Sequence, residues 1–134
     1  MELHLKIIGI LLMVLAFVHI PFPKYFKWKE ELKSLSLINR QMMKVHTFFI
    51  ALMVFLMGLL SFSQADLLVS TELGQIVSLG MAVFWGVRLV FQLFIYSTKL
   101  WRGKVFETTM HVLFTALWVY ISIVYVVVYF SPSV

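Results

Sequence analysis

Three histidines, one arginine and one glutamine carry most of the chemistry open to this chain. His19, His46 and His111 lie at the ends of strongly apolar runs or a turn or two inside them. Arg88 and Gln92 sit four residues apart within another such run. Neutral imidazole is the commonest transition-metal ligand, two imidazoles can hold haem iron axially, and imidazole relays protons near neutral pH. An arginine at the centre of a membrane helix costs about 2.5–3.5 kcal/mol on insertion scales and cannot shed its proton. Arg88 must therefore be met by polar atoms. Of the six acidic residues only Glu107 approaches the same side, and helical rise places it about 11 Å shallower. Carbonyls, hydroxyls, Gln92, a bound anion or another chain are the groups left to meet the guanidinium.

The elements that hold these residues follow from composition. Of 134 residues, 62% are hydrophobic and 13% charged, with a mean hydropathy of +0.98. Ordinary soluble domains are about 45–50% apolar and about 25% charged. Too few charges are present to cover a water-facing surface, which excludes a soluble cytosolic domain, a disordered chain and a disulfide scaffold. The absence of cysteine removes disulfides, thiolate metal sites, iron–sulfur clusters and cysteine nucleophiles. The expectation is an all-α integral membrane protein forming a single transmembrane domain over residues 1–134.

A spanning helix needs about 20 mainly apolar residues. Four stretches qualify, at about 3–20, 42–62, 74–97 and 105–130. The first is short and stops at Pro21-Phe22-Pro23, which cannot continue a helix. Its charged start, with Glu2 and Lys6, and the lack of a small-x-small site before Pro21 read as a retained helix rather than a cleaved signal peptide. Residues 24–44 carry six Lys/Arg against Glu30 and Glu31. The hairpin after the third run carries Lys99, Arg102 and Lys104, whereas Ser61–Leu73 holds only acidic charges. Lys/Arg excess marks the cytoplasmic side. Four antiparallel helices of a multi-pass inner or plasma membrane protein, with both termini outside, follow. The net charge of +5 is thus a topology signal rather than a nucleic-acid footprint.

Between the first and second helices, about 24–40, Trp28, Leu32 and Leu35 recur at helical spacing among charges. This pattern predicts a short interfacial helix, with Trp28 at headgroup depth and Lys24, Lys27, Lys29 and Lys33 drawn to anionic lipid. Within the spans, Ser78, Met81, Trp85, Arg88, Gln92 and Tyr96 form one helical face. Glu107, His111, Thr115, Trp118, Ser122, Tyr125 and Tyr129 form another. For the hydroxyls and tyrosines the expected role is interhelical packing.

Counting from the outer ends puts His19, His46, Gln92 and His111 roughly 15 to 20 residues deep, near one layer. His4 falls near the opposite end. In an up-down bundle the second and fourth helices are diagonal, so His46 and His111 are the leading pair, with His19 third. The sequence thus points to a small binding protein with a His/Arg/Gln site whose ligand is haem or a transition metal. The competing readings are an accessory or anchor subunit of a larger membrane complex and a proton or ion pathway formed by an oligomer. The expected partners are the lipid bilayer and a membrane protein or further copies of the chain, not nucleic acid. No GxSxG, Walker A, GxGxxG or HExxH signature is present, which leans away from an enzyme. The layout resembles small four-helix membrane cytochromes and membrane anchor subunits in architecture alone.

Overall fold

A computed structural model describes residues 2–21, 24, 27–94, 103 and 105–131. It is all-helical among these residues. The helices are α1 (Glu2–Val18), α2 (Trp28–Glu31), α3 (Leu37–Ser63), α4 (Ala65–Ser70), α5 (Glu72–Phe94) and α6 (Val105–Phe130). Three of them, α3, α5 and α6, are long and apolar enough to cross a membrane, as expected of a multi-pass membrane protein. Helix α1 has 17 residues, a rise of only about 25 Å. The chain divides into two compact units, Leu3–Ala65 and Asp66–Val134 with the first two residues.

In the first unit α1 packs on α3 through glycine. A Cβ on Gly9 would lie 2.6 Å from the Gly58 carbonyl oxygen and 2.7 Å from Cβ of Phe62, and one on Gly58 would lie 2.7 Å from the Gly9 oxygen. Only glycine lets two backbones approach this closely, a recurrent device where lipid supplies no hydrophobic drive between helices. Further along, Phe17 meets Phe55 edge-on, with centroids 5.9 Å apart. Chain numbers rise on one helix as they fall on the other, so this pair is antiparallel.

Helix α3 starts five residues earlier than its apolar run. Ser36 caps it, its hydroxyl accepting from the Asn39 N–H at 3.4 Å. Residues 37–40, expected in the interfacial segment, therefore belong to α3. Within the expected interfacial segment, α2 covers Trp28–Glu31. It begins after Lys27, whose φ of 53° is left-handed, a conformation that costs a non-glycine residue about 1–2 kcal/mol.

The second unit opens with α4, where a plain hairpin was expected. Thr71 then caps α5: its hydroxyl accepts from the Gly74 N–H at 2.9 Å and donates to the Leu67 carbonyl at 2.6 Å. Gly74 packs against α4, where a Cβ would meet the Leu67 oxygen and, at 2.6 Å, Cα of Leu68. Helices α5 and α6 are joined along their length by Gln75 donating to the Ser131 carbonyl, Trp85 stacked on Trp118, and Gln92 beside His111. They too run antiparallel. Their buried faces follow helical spacing, with Ser78, Met81, Trp85 and Gln92 on α5 and Trp118, Ile121, Tyr125 and Val128 on α6.

Candidate functional site

The polar cluster of the second unit forms where the two stripes read from the sequence meet. Four residues separate Arg88 from Gln92, so α5 stacks them on one face. The Arg88 Nη1 donates to Gln92 Oε1 at 3.4 Å. Gln92 is 6% exposed, and its Nε2 reaches across to α6, 3.2 Å from His111 Nδ1 and 3.5 Å from the His111 carbonyl. The chemistry of the three groups fixes the direction of this chain. Guanidinium has only donors, so it takes the amide oxygen of Gln92 and leaves the NH2 end facing His111. An NH2 group can only donate, so Nδ1 of His111 accepts and the imidazole proton sits on Nε2. Gln92 thereby converts a cation on α5 into a tautomer choice on α6.

Aromatic rings build the floor. The Arg88 guanidinium carbon lies 5.3 Å from the centroid of the Trp118 ring, within reach of a cation–π attraction. Trp118 stacks with Trp85, at 4.9 Å and 16°, and with Phe114, at 5.8 Å and 19°. Both tryptophans are nearly fully buried, Trp85 at 2% and Trp118 at 4% exposure. Yet the indole nitrogens of both, with the hydroxyl oxygens of Thr115 and Ser122, are buried and make no hydrogen bond among the described residues. A buried donor left unpaired costs about 1–3 kcal/mol. Of these four atoms one is on α5 and three are on α6, and Trp118 also carries the Arg88 guanidinium over its ring.

The remaining predicted residues are distributed as follows. His111 and Glu107 are half-buried on α6. His19 lies at the end of α1, where its Nδ1 donates to the Leu15 carbonyl at 2.9 Å, one of the orphaned acceptors of a helix end. His46 is exposed on α3 and does not join His19 in the groove beside that residue. His19 and His46 belong to the first unit and His111 to the second. No group of three His, Asp or Glu that could hold a metal ion occurs among the described residues. His4 is exposed near the start of α1, and Lys24, Lys27, Lys29 and Lys33 are exposed, while Trp28 is buried. Tyr96, Lys99 and Arg102 lie outside the described residues.

Sequence reasoning placed Arg88, Gln92 and His111 in one candidate site but gave the tryptophans no part in it. The available signal was positional. Trp85 precedes Arg88 by three residues and Trp118 follows His111 by seven, so both had to share the faces that carry the polar groups. No protein-family model, curated protein or solved structure matches this chain.

Proposed function

We propose that this is a small multi-pass membrane protein that binds, without catalysing a reaction, a ligand presenting oxygen acceptors to the Arg88 cluster. The observation that carries the reading is the set of buried donors of Trp85, Trp118, Thr115 and Ser122 that make no hydrogen bond among the described residues, on the two helices that carry Arg88 and its Trp118 partner. In hydrocarbon such donors are satisfied by protein, water or ligand. A carboxylate or carbonyl oxygen would meet both the charge and the indole N–H groups. Arg88 supplies the charge, Gln92 and His111 hold it in place, and the stacked tryptophans form an apolar, donor-edged wall. This ligand chemistry fits better than haem or a transition metal, because Nδ1 of His111 accepts from Gln92 and so leaves the proton on Nε2, the nitrogen that would ligate, and no group of three His, Asp or Glu gathers among the described residues.

In this reading α1 is a fourth span antiparallel to α3. The basic segments face the cytoplasm, both termini lie outside, and the cluster sits in the cytoplasmic half of the membrane. The test is organic extraction and mass spectrometry of detergent-purified protein, with a visible spectrum and metal analysis of the same sample. A small acceptor-bearing compound that is retained by the wild type and lost from Arg88→Leu supports the reading. A Soret band or stoichiometric metal, lost on replacing His46 or His111, would return the site to the haem or metal class.

A second reading has its own support. Thr115, Trp118 and Ser122 fall at helical spacing along α6, over a rise of about 10 Å. That length suits the acceptors of a partner membrane helix, as in an accessory subunit. A photo-crosslinking residue at position 115 separates the two readings, since a partner chain yields a protein adduct and a small ligand does not.

A further inference from the structure

A groove of about 190 Å³ opens in the first unit where α1 ends, far in sequence from the Arg88 cluster. Its formation follows from local chain geometry. The last turn of α1 tightens, His19 and Ile20 donating their N–H groups to the carbonyls of Ala16 and Phe17, and Pro21 ends the helix. The left-handed residue Lys27 then starts α2 and brings Trp28 to the groove as a buried wall. Helix α3 closes the far side with Lys44, Phe48 and Ala51, residues at the i, i+4, i+7 spacing of a single face.

The lining is almost wholly carbon. Ile20, Phe48 and Ala51 form it together with His19, Trp28 and Lys44, and Lys44 is itself exposed. The sequence from 24 to 44 carries six Lys/Arg against two Glu. Tryptophan and lysine at the end of an apolar helix mark the headgroup layer of a membrane. The groove has room for a glycerol backbone but not for two acyl chains.

We propose that this groove seats the glycerol backbone of an anionic phospholipid, with its phosphate outside the apolar lining at the exposed Lys44 ammonium. Lys44 pairs with the phosphate, Trp28 covers the glycerol, and the acyl chains leave along Phe48 and Ala51 into the surrounding lipid. This is a defined site, distinct from the diffuse attraction of Lys24, Lys27, Lys29 and Lys33 to a charged surface. The aliphatic lining is what separates a lipid from a free phosphate ion as its occupant.

The test is native mass spectrometry of the full chain in detergent, titrated with phosphatidylglycerol, phosphatidylcholine or glycerol phosphate. One phosphatidylglycerol should bind in preference to phosphatidylcholine. Lys44→Gln should weaken it about fivefold, the worth of one lysine near an anionic surface. A double variant, Lys29→Gln with Lys33→Gln, should change it by less than about twofold, because neither residue lines the groove. Ala51→Leu fills the groove without touching its charge and should also displace the lipid, with helicity measured by circular dichroism as the folding control. Equal binding of the two lipids overturns the proposal. So does an equal loss in the double variant, which would mean diffuse electrostatics, or saturation by glycerol phosphate as tight as by lipid, which would mean a free-anion site. Unchanged binding in both Lys44→Gln and Ala51→Leu also overturns it.

Discussion

The side-chain amide nitrogen of Gln92 lies 3.2 Å from Nδ1 of His111 while the amide oxygen of the same residue accepts from Arg88 at 3.4 Å. The imidazole of His111 is therefore held as the tautomer with its proton on Nε2. Nitrogen NMR of ring-labelled protein should show Nδ1 of His111 unprotonated in the wild type. In Gln92→Glu the carboxylate accepts from both neighbours, so the proton should move to Nδ1. No change in the His111 signals between the two proteins would mean that the link does not persist in the membrane.

Removing the amide altogether should have an energetic cost. Gln92→Leu abolishes an interhelical hydrogen bond of a kind worth about 0.6–2 kcal/mol in membrane proteins. The loss is measurable as a lower midpoint when detergent-solubilised protein is unfolded with sodium dodecyl sulfate. A midpoint at or above that of the wild type would show that the α5–α6 pairing does not depend on this bond.

Arg88 and Trp118 should be energetically coupled. With the guanidinium carbon 5.3 Å from the ring centroid in a buried setting, a double-mutant cycle of Arg88→Met and Trp118→Leu should return an interaction of about 0.5–2 kcal/mol. A coupling within error of zero would reduce Trp118 to a packing residue.

The glycines divide into two classes that thermal unfolding can separate. Gly9→Ala and Gly58→Ala force a methyl to within 3 Å of the opposing backbone and should destabilise by about 1–3 kcal/mol through overpacking. Gly80 and Gly86 on α5 have open space where a Cβ would be placed. Their alanine variants should be neutral or more stable by up to about 1 kcal/mol, from helix propensity. Equal effects at all four positions would contradict the close approach of α1 and α3.

The proposed topology has a direct measurement. A phosphatase that matures only outside the cytoplasm, fused after Val134, should be active, and a cytoplasmic fluorescent reporter at the same place should be dark. The opposite pair of results would invert the orientation read from the loop charges.

The apolar runs revealed three of the helices to within a few residues, because hydropathy and length are properties of the sequence itself. Helix α6 spans 105–130 as expected. The start of α3 was harder to see. Arg40, Gln41 and Lys44 break the apolar run while leaving the helix intact, and the cue was a capping serine rather than hydropathy. Helix α4 was concealed by its brevity. For the candidate site, spacing showed that Arg88 and Gln92 share a face and that His111 faces inward. It did not show their register across α5 and α6, which is set by how Trp85 meets Trp118. Depth counting put the histidines in one layer, but depth says nothing of rotation about a helix axis. His46 is exposed, two residues from Lys44 and Phe48 and off the face that carries them.

The glycine contact between α1 and α3 fixes together two rods of unequal length. Seventeen residues rise about 25 Å and 27 residues about 40 Å, against about 30 Å of hydrocarbon. A long helix relieves hydrophobic mismatch by tilting and a short one by drawing the bilayer thin. Clamped at Gly9 and Gly58, neither can adjust alone. With α1 as the proposed fourth span, lipid beside it would have to compress by about 5 Å while α3 leans or emerges on the same unit. Such a pair would favour thinner membranes, and its stability would vary with acyl-chain length even where no lipid is specifically bound.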